Sequence, residues 1–204
     1  MITAIILAGG KSTRLNNDIP KPFIKINNKR ILDYSVQTFE KNVDQIIIVV
    51  PFEWKEIIKN EYPNHNIIVG GNSRKKSSYN GLLSCNQNTS KVLIHDAARP
   101  FVTKQLIINC IHKLDFFDAV STVVKPVDTI ATVNKNLIKD VLLREYCRLE
   151  QTPQAFIYKK ILKAHQSIKD STTDDISIAH KSGIKCSMIE GSYRNFKITT
   201  DFDL

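Results

Sequence analysis

The chain has 204 residues, 42% of them hydrophobic, and carries 29 lysines and arginines against 20 aspartates and glutamates, a formal charge of +9 at pH 7. That length supports one well-buried core, while no apolar stretch approaches the roughly 18 to 20 residues of a membrane span and the first residues lack a secretory signal, so a cytoplasmic protein without a membrane partner is expected. The cations are scattered, with no basic stripe or interleaved aromatics to favour nucleic acid, and Cys85, Cys110, Cys147 and Cys186 form no C-x-x-C pair, which argues against a zinc site or disulfide framework.

The first predicted element is the run Ala4 to Leu7, whose continuous aliphatic character reads as a strand buried on both faces. It empties into Ala8-Gly9-Gly10-Lys11-Ser12-Thr13-Arg14-Leu15. Gly9 and Gly10 admit close backbone approach, so several N–H groups can converge on phosphate oxygens. Lys11 adds a point charge and Arg14 a planar fork, and Pro20-Lys21-Pro22 brings a third cation on a stiff turn. Neither the P-loop spacing nor the three-glycine dinucleotide pattern is met, and an ordinary turn with surface cations is the plain alternative.

Ile31 to Glu40 shows a helical apolar face, Gln45 to Val50 a second buried strand closed by Pro51, Glu53 to Glu61 a short helix, and Asn66 to Val69 a third strand. The order βαβαβ implies parallel strands with helices on the faces. Gly70-Gly71-Asn72-Ser73-Arg74 then opens a helix running to about Cys85. Ligands of parallel sheets bind at the carboxyl ends of strands, so both glycine loops can face one site. Gly71 and Asn72 can lie against a flat base that Ser77 hydrogen-bonds, and Ser73 as an N-cap explains part of the same pattern.

Lys91 to Ile94 is the next strand, delivering His95-Asp96-Ala97-Ala98-Arg99-Pro100-Phe101. Asp96 at the carboxyl end of a central strand is placed to meet a Mg²⁺ that bridges phosphates. Arg99 can neutralise Asp96 or hold a phosphate, with a purely structural Asp–Arg pair as the alternative. Ala119 to Val124 is a further strand. Beyond Pro126, Asp128 to Ile138 alternates about Asn134-Lys135-Asn136 and reads as a β-hairpin. Such a hairpin buries its apolar side poorly alone, so a second subunit is expected to cover it, unless it folds back on its own domain. Gln151-Thr152-Pro153-Gln154-Ala155-Phe156 turns the chain into a helix from Tyr158 to Ile168. Thr172-Thr173-Asp174-Asp175 caps another helix, Lys185 to Ile189 is a strand, and Phe196, Lys197 and Ile198 follow strand alternation.

Leu7 to Leu15 with Pro20-Lys21 resembles the signature of nucleotidyltransferases that join a nucleoside triphosphate to a sugar phosphate, with Ser12 in place of the usual glycine. Val92-Leu93-Ile94-His95-Asp96-Ala97-Ala98-Arg99-Pro100-Phe101 narrows this. It is similar to the signature of the cytidylyltransferase family that contains the 2-C-methyl-D-erythritol 4-phosphate and ribitol-5-phosphate enzymes. The resemblance covers essentially the whole chain and departs from the family pattern at Pro22 and Arg148. It implies an α/β, Rossmann-like nucleotidyltransferase fold, a mostly parallel twisted sheet with helices on both faces plus a projecting β-hairpin arm. Residues 1–204 would form one domain, with 126–150 as the dimerisation arm of a homodimer.

The resemblance further implies CTP as substrate, Mg²⁺ as cofactor and a polyol phosphate as acceptor, the methylerythritol phosphate ahead of ribitol phosphate. Arg14, Lys21 and Lys197 would act on the reacting phosphates, and Leu7, Ala8, Gly9, Gly10, Gly71, Asn72, Arg74 and Ser77 would hold the nucleotide. Asp96, Arg99, Asp128, Thr129, Arg144 and Thr173 would hold the acceptor, with Asp96 also the metal residue. A non-catalytic nucleotide-binding or scaffold protein of the same fold is the alternative of another class, against which Arg14, Lys21, Asp96 and Lys197 stand. The family continues into one more helix after Leu204, so a short member or the front piece of a longer, bifunctional protein is expected.

Overall fold

The computed structural model describes residues 1–9, 19–170 and 172–204. The buried apolar runs form β1 (Ile2–Leu7), β4 (Gln45–Val50), β5 (Asn66–Val69) and β6 (Lys91–Asp96), with the two-residue strands β2 (Lys25–Ile26) and β3 (Lys29–Arg30) making a small hairpin between β1 and β4. Strand β7 (Ala119–Val124), the pair β8 (Ile130–Asn134) and β9 (Leu137–Leu142), then β10 (Leu149–Ile157) and β11 (Cys186–Glu190) complete the set. One seven-stranded sheet runs in the order β11-β7-β10-β6-β1-β4-β5, and β1 lies parallel to both β4 and β6.

The predicted fold class therefore holds: an α/β sheet, mostly parallel, with helices on both faces. Alternate side chains of β1 go to opposite sides, because a strand has a period of two. Ala4 and Ile6 meet Leu32, Val36 and Phe39 of α1 (Ile31–Glu40), Ile58 of α2 (Lys55–Glu61) and Ile107 of α4 (Lys104–Lys113). Ile5 and Leu7 meet Leu82 of α3 (Arg74–Leu83), Ile161 of α5 (Tyr158–Ser167) and Ile178 of α6 (Asp175–Lys181).

Two expectations need correction, and one helix was not among them. The segment from Gln151 is not a turn: it lies inside the nine-residue β10, antiparallel to β6 and β7, which makes the sheet mixed. Pro153 disguised it, since proline cannot donate to a ladder. The register against β7 shifts between Gln151 and Gln154, which accommodates it. Helix α4, unforeseen from the sequence, is capped by Thr103, whose hydroxyl accepts from the Leu106 N–H at 3.3 Å. The segment around Lys197 is not a strand. Phe196 and Lys197 are both exposed while Asn195 and Ile198 are buried, a spacing of three rather than two.

The predicted hairpin forms as β8–β9, a separate two-stranded sheet whose turn residue Lys135 has φ of +53°. Its apolar side chains are open to solvent: Val133 is 66% exposed, Leu137 76% and Ile138 69%.

Helix α3 crosses β1 closely at Gly81, where an added Cβ would fall 2.5 Å from Cγ2 of the fully buried Ile5. Gly81→Ala is expected to destabilise the fold by about 1–3 kcal/mol in chemical denaturation, overpacking outweighing the gain in helix propensity. An unchanged midpoint would show that α3 shifts freely over the sheet.

Candidate active site

Strand β6 ends at Asp96, and the carboxyl ends of β1, β6 and β5 open on the same edge of the sheet. Arg74 enters there as the first residue of α3, whose N-cap Ser73 accepts from the Lys76 N–H at 3.1 Å. The irregular segment from Asn195 to Thr200 comes back across the loop after β6, tied by the Ile198 N–H to the Ala98 carbonyl at 2.9 Å. These pieces bound a cleft of about 150 Å³ lined by Arg74, Asp96, Arg99, Thr152, Thr173 and Lys197, among others.

Asp96 is the hub of that cleft. Its Oδ1 accepts from Arg74 Nε at 3.1 Å and its Oδ2 from Lys197 Nζ at 2.7 Å. Burial alone would raise this carboxyl, but Arg74, then Lys197 and Arg99, outweigh it and hold it well below the usual carboxylate range. Burial also lowers the Arg99 guanidinium against the pull of Asp96. Arg99 is fixed by main-chain acceptors, donating through Nη1 to the Asn195 carbonyl at 2.9 Å and through Nη2 to the Glu150 carbonyl at 3.4 Å.

Behind Asp96, His95 is fully buried. Its Nε2 meets the Arg99 carbonyl at 3.1 Å, so that nitrogen carries the proton, and Nδ1 accepts from the Thr152 hydroxyl at 3.0 Å. The same hydroxyl oxygen accepts from the Asp96 N–H at 3.1 Å, so one neutral imidazole joins β6, β10 and the Arg99 turn.

Burial pushes the His95 pKa down from 6.5 to about 4. Between those values the unfolded chain binds a proton that the folded chain refuses, so stability is full above pH 6.5 and falls as the pH drops toward 4. For this group the slope reaches about 1.4 kcal/mol per pH unit. His95→Gln is expected to flatten that slope in urea denaturation in EDTA at pH 6.5 and 4.5. Parallel slopes in the two proteins would contradict a neutral buried imidazole.

Residues 2–204 match the profile of the family described as IspD: 2-C-methyl-D-erythritol 4-phosphate cytidylyltransferase. The chain belongs to this family. A 2-C-methyl-D-erythritol 4-phosphate cytidylyltransferase of Clostridium beijerinckii is 38% identical across 100% of this chain and 95% of its own. Among solved structures, the 4-diphosphocytidyl-2C-methyl-D-erythritol synthase of Anaerococcus prevotii is 29% identical with a TM-score of 0.87, covering 99% of this chain and 94% of its own. The bifunctional IspDF of Campylobacter jejuni is 28% identical with a TM-score of 0.87, and 100% of this chain spans 53% of it.

Of the residues that the family resemblance singled out, the structure gathers Arg74, Asp96, Arg99, Thr173 and Lys197 around the cleft. Lys21 joins them through the returning segment, its ammonium donating to the Thr199 carbonyl. Leu7, Ala8 and Gly9 continue β1 at the same edge, Ala8 donating to the Val49 carbonyl at 2.7 Å. Gly71 and Asn72 are exposed in the loop before α3. Ser77 is buried and spends its hydroxyl on that loop, accepting from the Gly71 N–H at 3.0 Å and donating to the Ser73 carbonyl at 2.9 Å. Gly10 and Arg14, with Lys11 and Ser12, lie outside the described residues.

Asp128, Thr129 and Arg144 are not brought to the cleft within this chain. They sit at the base of the hairpin arm, exposed, with Arg144 Nη1 donating to the Val127 carbonyl at 2.5 Å. Sequence reasoning assigned no role to His95, Thr152, Gln154, Asp175 and Asn195. The available signal was the run of polar residues in Gln151-Thr152-Pro153-Gln154, all buried in β10.

The donor set fits a divalent cation held mainly by substrate phosphates. Among the described residues no group of three or more His, Cys, Asp or Glu side chains could hold a metal by itself. Asp96 is a single carboxylate, and Mg²⁺ commonly takes one such ligand together with phosphates and waters. Among the described residues each Asp96 oxygen carries one hydrogen bond, which leaves it a further lone pair.

Proposed function

We propose that this chain transfers the cytidylyl group of CTP to 2-C-methyl-D-erythritol 4-phosphate, giving 4-diphosphocytidyl-2-C-methyl-D-erythritol and pyrophosphate. The observation that carries the reading is the cluster of Arg74, Lys197 and Arg99 around Asp96 at the carboxyl end of β6, in a chain that belongs to the family of that activity. Phosphoryl-type transfer asks little covalent chemistry of a protein, so positioned charge is the main requirement.

A phosphate oxygen of the acceptor attacks the α-phosphorus of CTP in line. The new P–O bond forms as the bond to the β-phosphate oxygen breaks, and pyrophosphate leaves with that electron pair. Lys197 contacts the attacking and α-phosphates, while Lys21 and Arg14 neutralise the triphosphate and its five-coordinate transition state. Leu7, Ala8, Gly9, Gly10, Gly71 and Asn72 hold the nucleotide, with Arg74 and Ser77 supporting that loop. Arg99, Thr173, Asp128, Thr129 and Arg144 hold the acceptor. Mg²⁺, when bound, neutralises phosphate charge, and Asp96 would hold it beside the phosphate oxygens.

The working form is a cytoplasmic homodimer of single-domain chains, with residues 126–150 as the arm. The exposed Val133 and Ile138, paired across the two strands, supply the apolar face that a second subunit would cover, bringing Asp128, Thr129 and Arg144 to the neighbouring site. Among the described residues no helix is long and apolar enough to cross a membrane.

Pyrophosphate release tests the activity, with CTP and MgCl₂ offered alongside methylerythritol 4-phosphate or ribitol 5-phosphate. Release with the first acceptor supports the reading, release with ribitol phosphate alone corrects the acceptor, and release with neither overturns it.

A further inference from the structure

Beneath the cleft lies a carboxylate that the reaction, as drawn above, does not use. Asp175, the first residue of α6, is completely buried. Its Oδ2 accepts from Arg74 Nη1 at 2.6 Å and from the Ser78 hydroxyl at 3.2 Å, and its Oδ1 accepts from His165 Nε2 at 3.0 Å. Its backbone is fixed too, because the Gln154 side-chain carbonyl accepts from the N–H groups of both Asp175 and Ile176, each at 3.1 Å. Ser78 from α3 and His165 from α5 thus hold the carboxylate, while Gln154 from β10 holds its main chain. It has no freedom to follow a moving arginine.

Arg74 spans two carboxylates with its planar fork, Nη1 on Asp175 and Nε on Asp96, while Asp96 in turn holds Lys197. The charges alternate from the interior to solvent. Asp175 is completely buried, Asp96 is 8% exposed, and the Lys197 side chain is 41% exposed. The remaining terminal nitrogen of Arg74, Nη2, is buried with no partner among the described residues, although Arg74 lines the cleft.

We propose that Asp175 is a positioning residue for the transfer reaction, fixing the Arg74 fork and through it Asp96 and Lys197. This rests on the reading of the cleft as the reacting site. Without Asp175 the guanidinium keeps one carboxylate and is free to swing toward it. The Asp96 oxygens and the Lys197 ammonium then lose their preset places, at a site where displacement by about 1 Å can cost two orders of magnitude in rate.

Steady-state kinetics of the full chain with CTP, MgCl₂ and methylerythritol 4-phosphate tests this, with urea denaturation alongside. Asp175→Asn keeps the shape and loses the charge. It is expected to lower kcat by about tenfold to a hundredfold while KM for CTP changes by less than about threefold. In an Arg74→Met background Asp175→Asn is expected to cost nothing further, because the aspartate acts through that arginine. A lowered denaturation midpoint with undiminished kcat would overturn the proposal, as would additive losses in the double variant. If Asp175→Asn does not fold, Arg74→Lys decides: a single ammonium cannot span both carboxylates, so a loss of about tenfold or more is expected and full turnover overturns the proposal. Lys197→Met separates the two levels. Full turnover there would overturn the site and the proposal with it, whereas loss there beside full turnover in Asp175→Asn would overturn the proposal alone.

Discussion

Lys197→Met is expected to lower kcat by about a hundredfold to a thousandfold, the usual cost of one preorganised transition-state contact, while leaving the fold intact. Lys197 stands out among the cleft cations because it is the least committed. Arg74 is spent on two carboxylates and Arg99 on two main-chain carbonyls, whereas Lys197 has, among the described residues, the single partner Asp96 and a side chain 41% exposed. An ammonium carries three donors, so Nζ can keep Asp96 and still meet a phosphate. An exposed ion pair contributes at most about 1 kcal/mol, so the denaturation midpoint should move little. Paired measurements of turnover and denaturation check this. A large fall in stability with turnover unchanged would make Lys197 a structural residue.

Asp96→Asn is expected to cost stability as well as turnover. It leaves Arg74 with one carboxylate instead of two and strips Lys197 of its partner, all at a position 8% exposed. Breaking a buried pair from one side costs about 3–5 kcal/mol, and the exposure of Lys197 places this case near 3 kcal/mol. The folded carboxyl is depressed, so its contribution is present above the unfolded value of 3.8 and lost as the pH falls through the lower folded value. The gap between wild type and Asp96→Asn in urea denaturation should therefore stay constant from pH 7 to 5 and close only in strong acid. Equal stability at pH 7 would mean that the three cations do not need this carboxylate.

The parallel half of the sheet was legible because its strands are buried on both faces and therefore read as unbroken aliphatic runs. Gln45–Val50, Asn66–Val69 and Ala119–Val124 fall where the sequence pattern places them, and so does the helix Ile31–Glu40. Strand β10 was not legible. It carries Gln151, Thr152 and Gln154 into the core around a proline, and such polar residues are tolerable only because Ser192, His95 and the start of α6 take up their hydrogen bonds. Nor could a local pattern show that Asn195 to Thr200 is held by the Ala98 carbonyl and Arg99 rather than by a neighbouring strand.

By itself the sequence determined the βαβ order, the glycine loops at strand ends, the hairpin and the residue types of the cleft, all of which depend on neighbours within a few positions along the chain. Only the tertiary structure decided which charge meets which. Arg74 reaches Asp175 and Lys197 reaches Asp96 across 101 residues each, and Arg74 bridges the two carboxylates. Such pairings arise because the sheet delivers distant strand ends to one edge, where low dielectric strengthens the attraction of opposite charges and penalises any charge left alone.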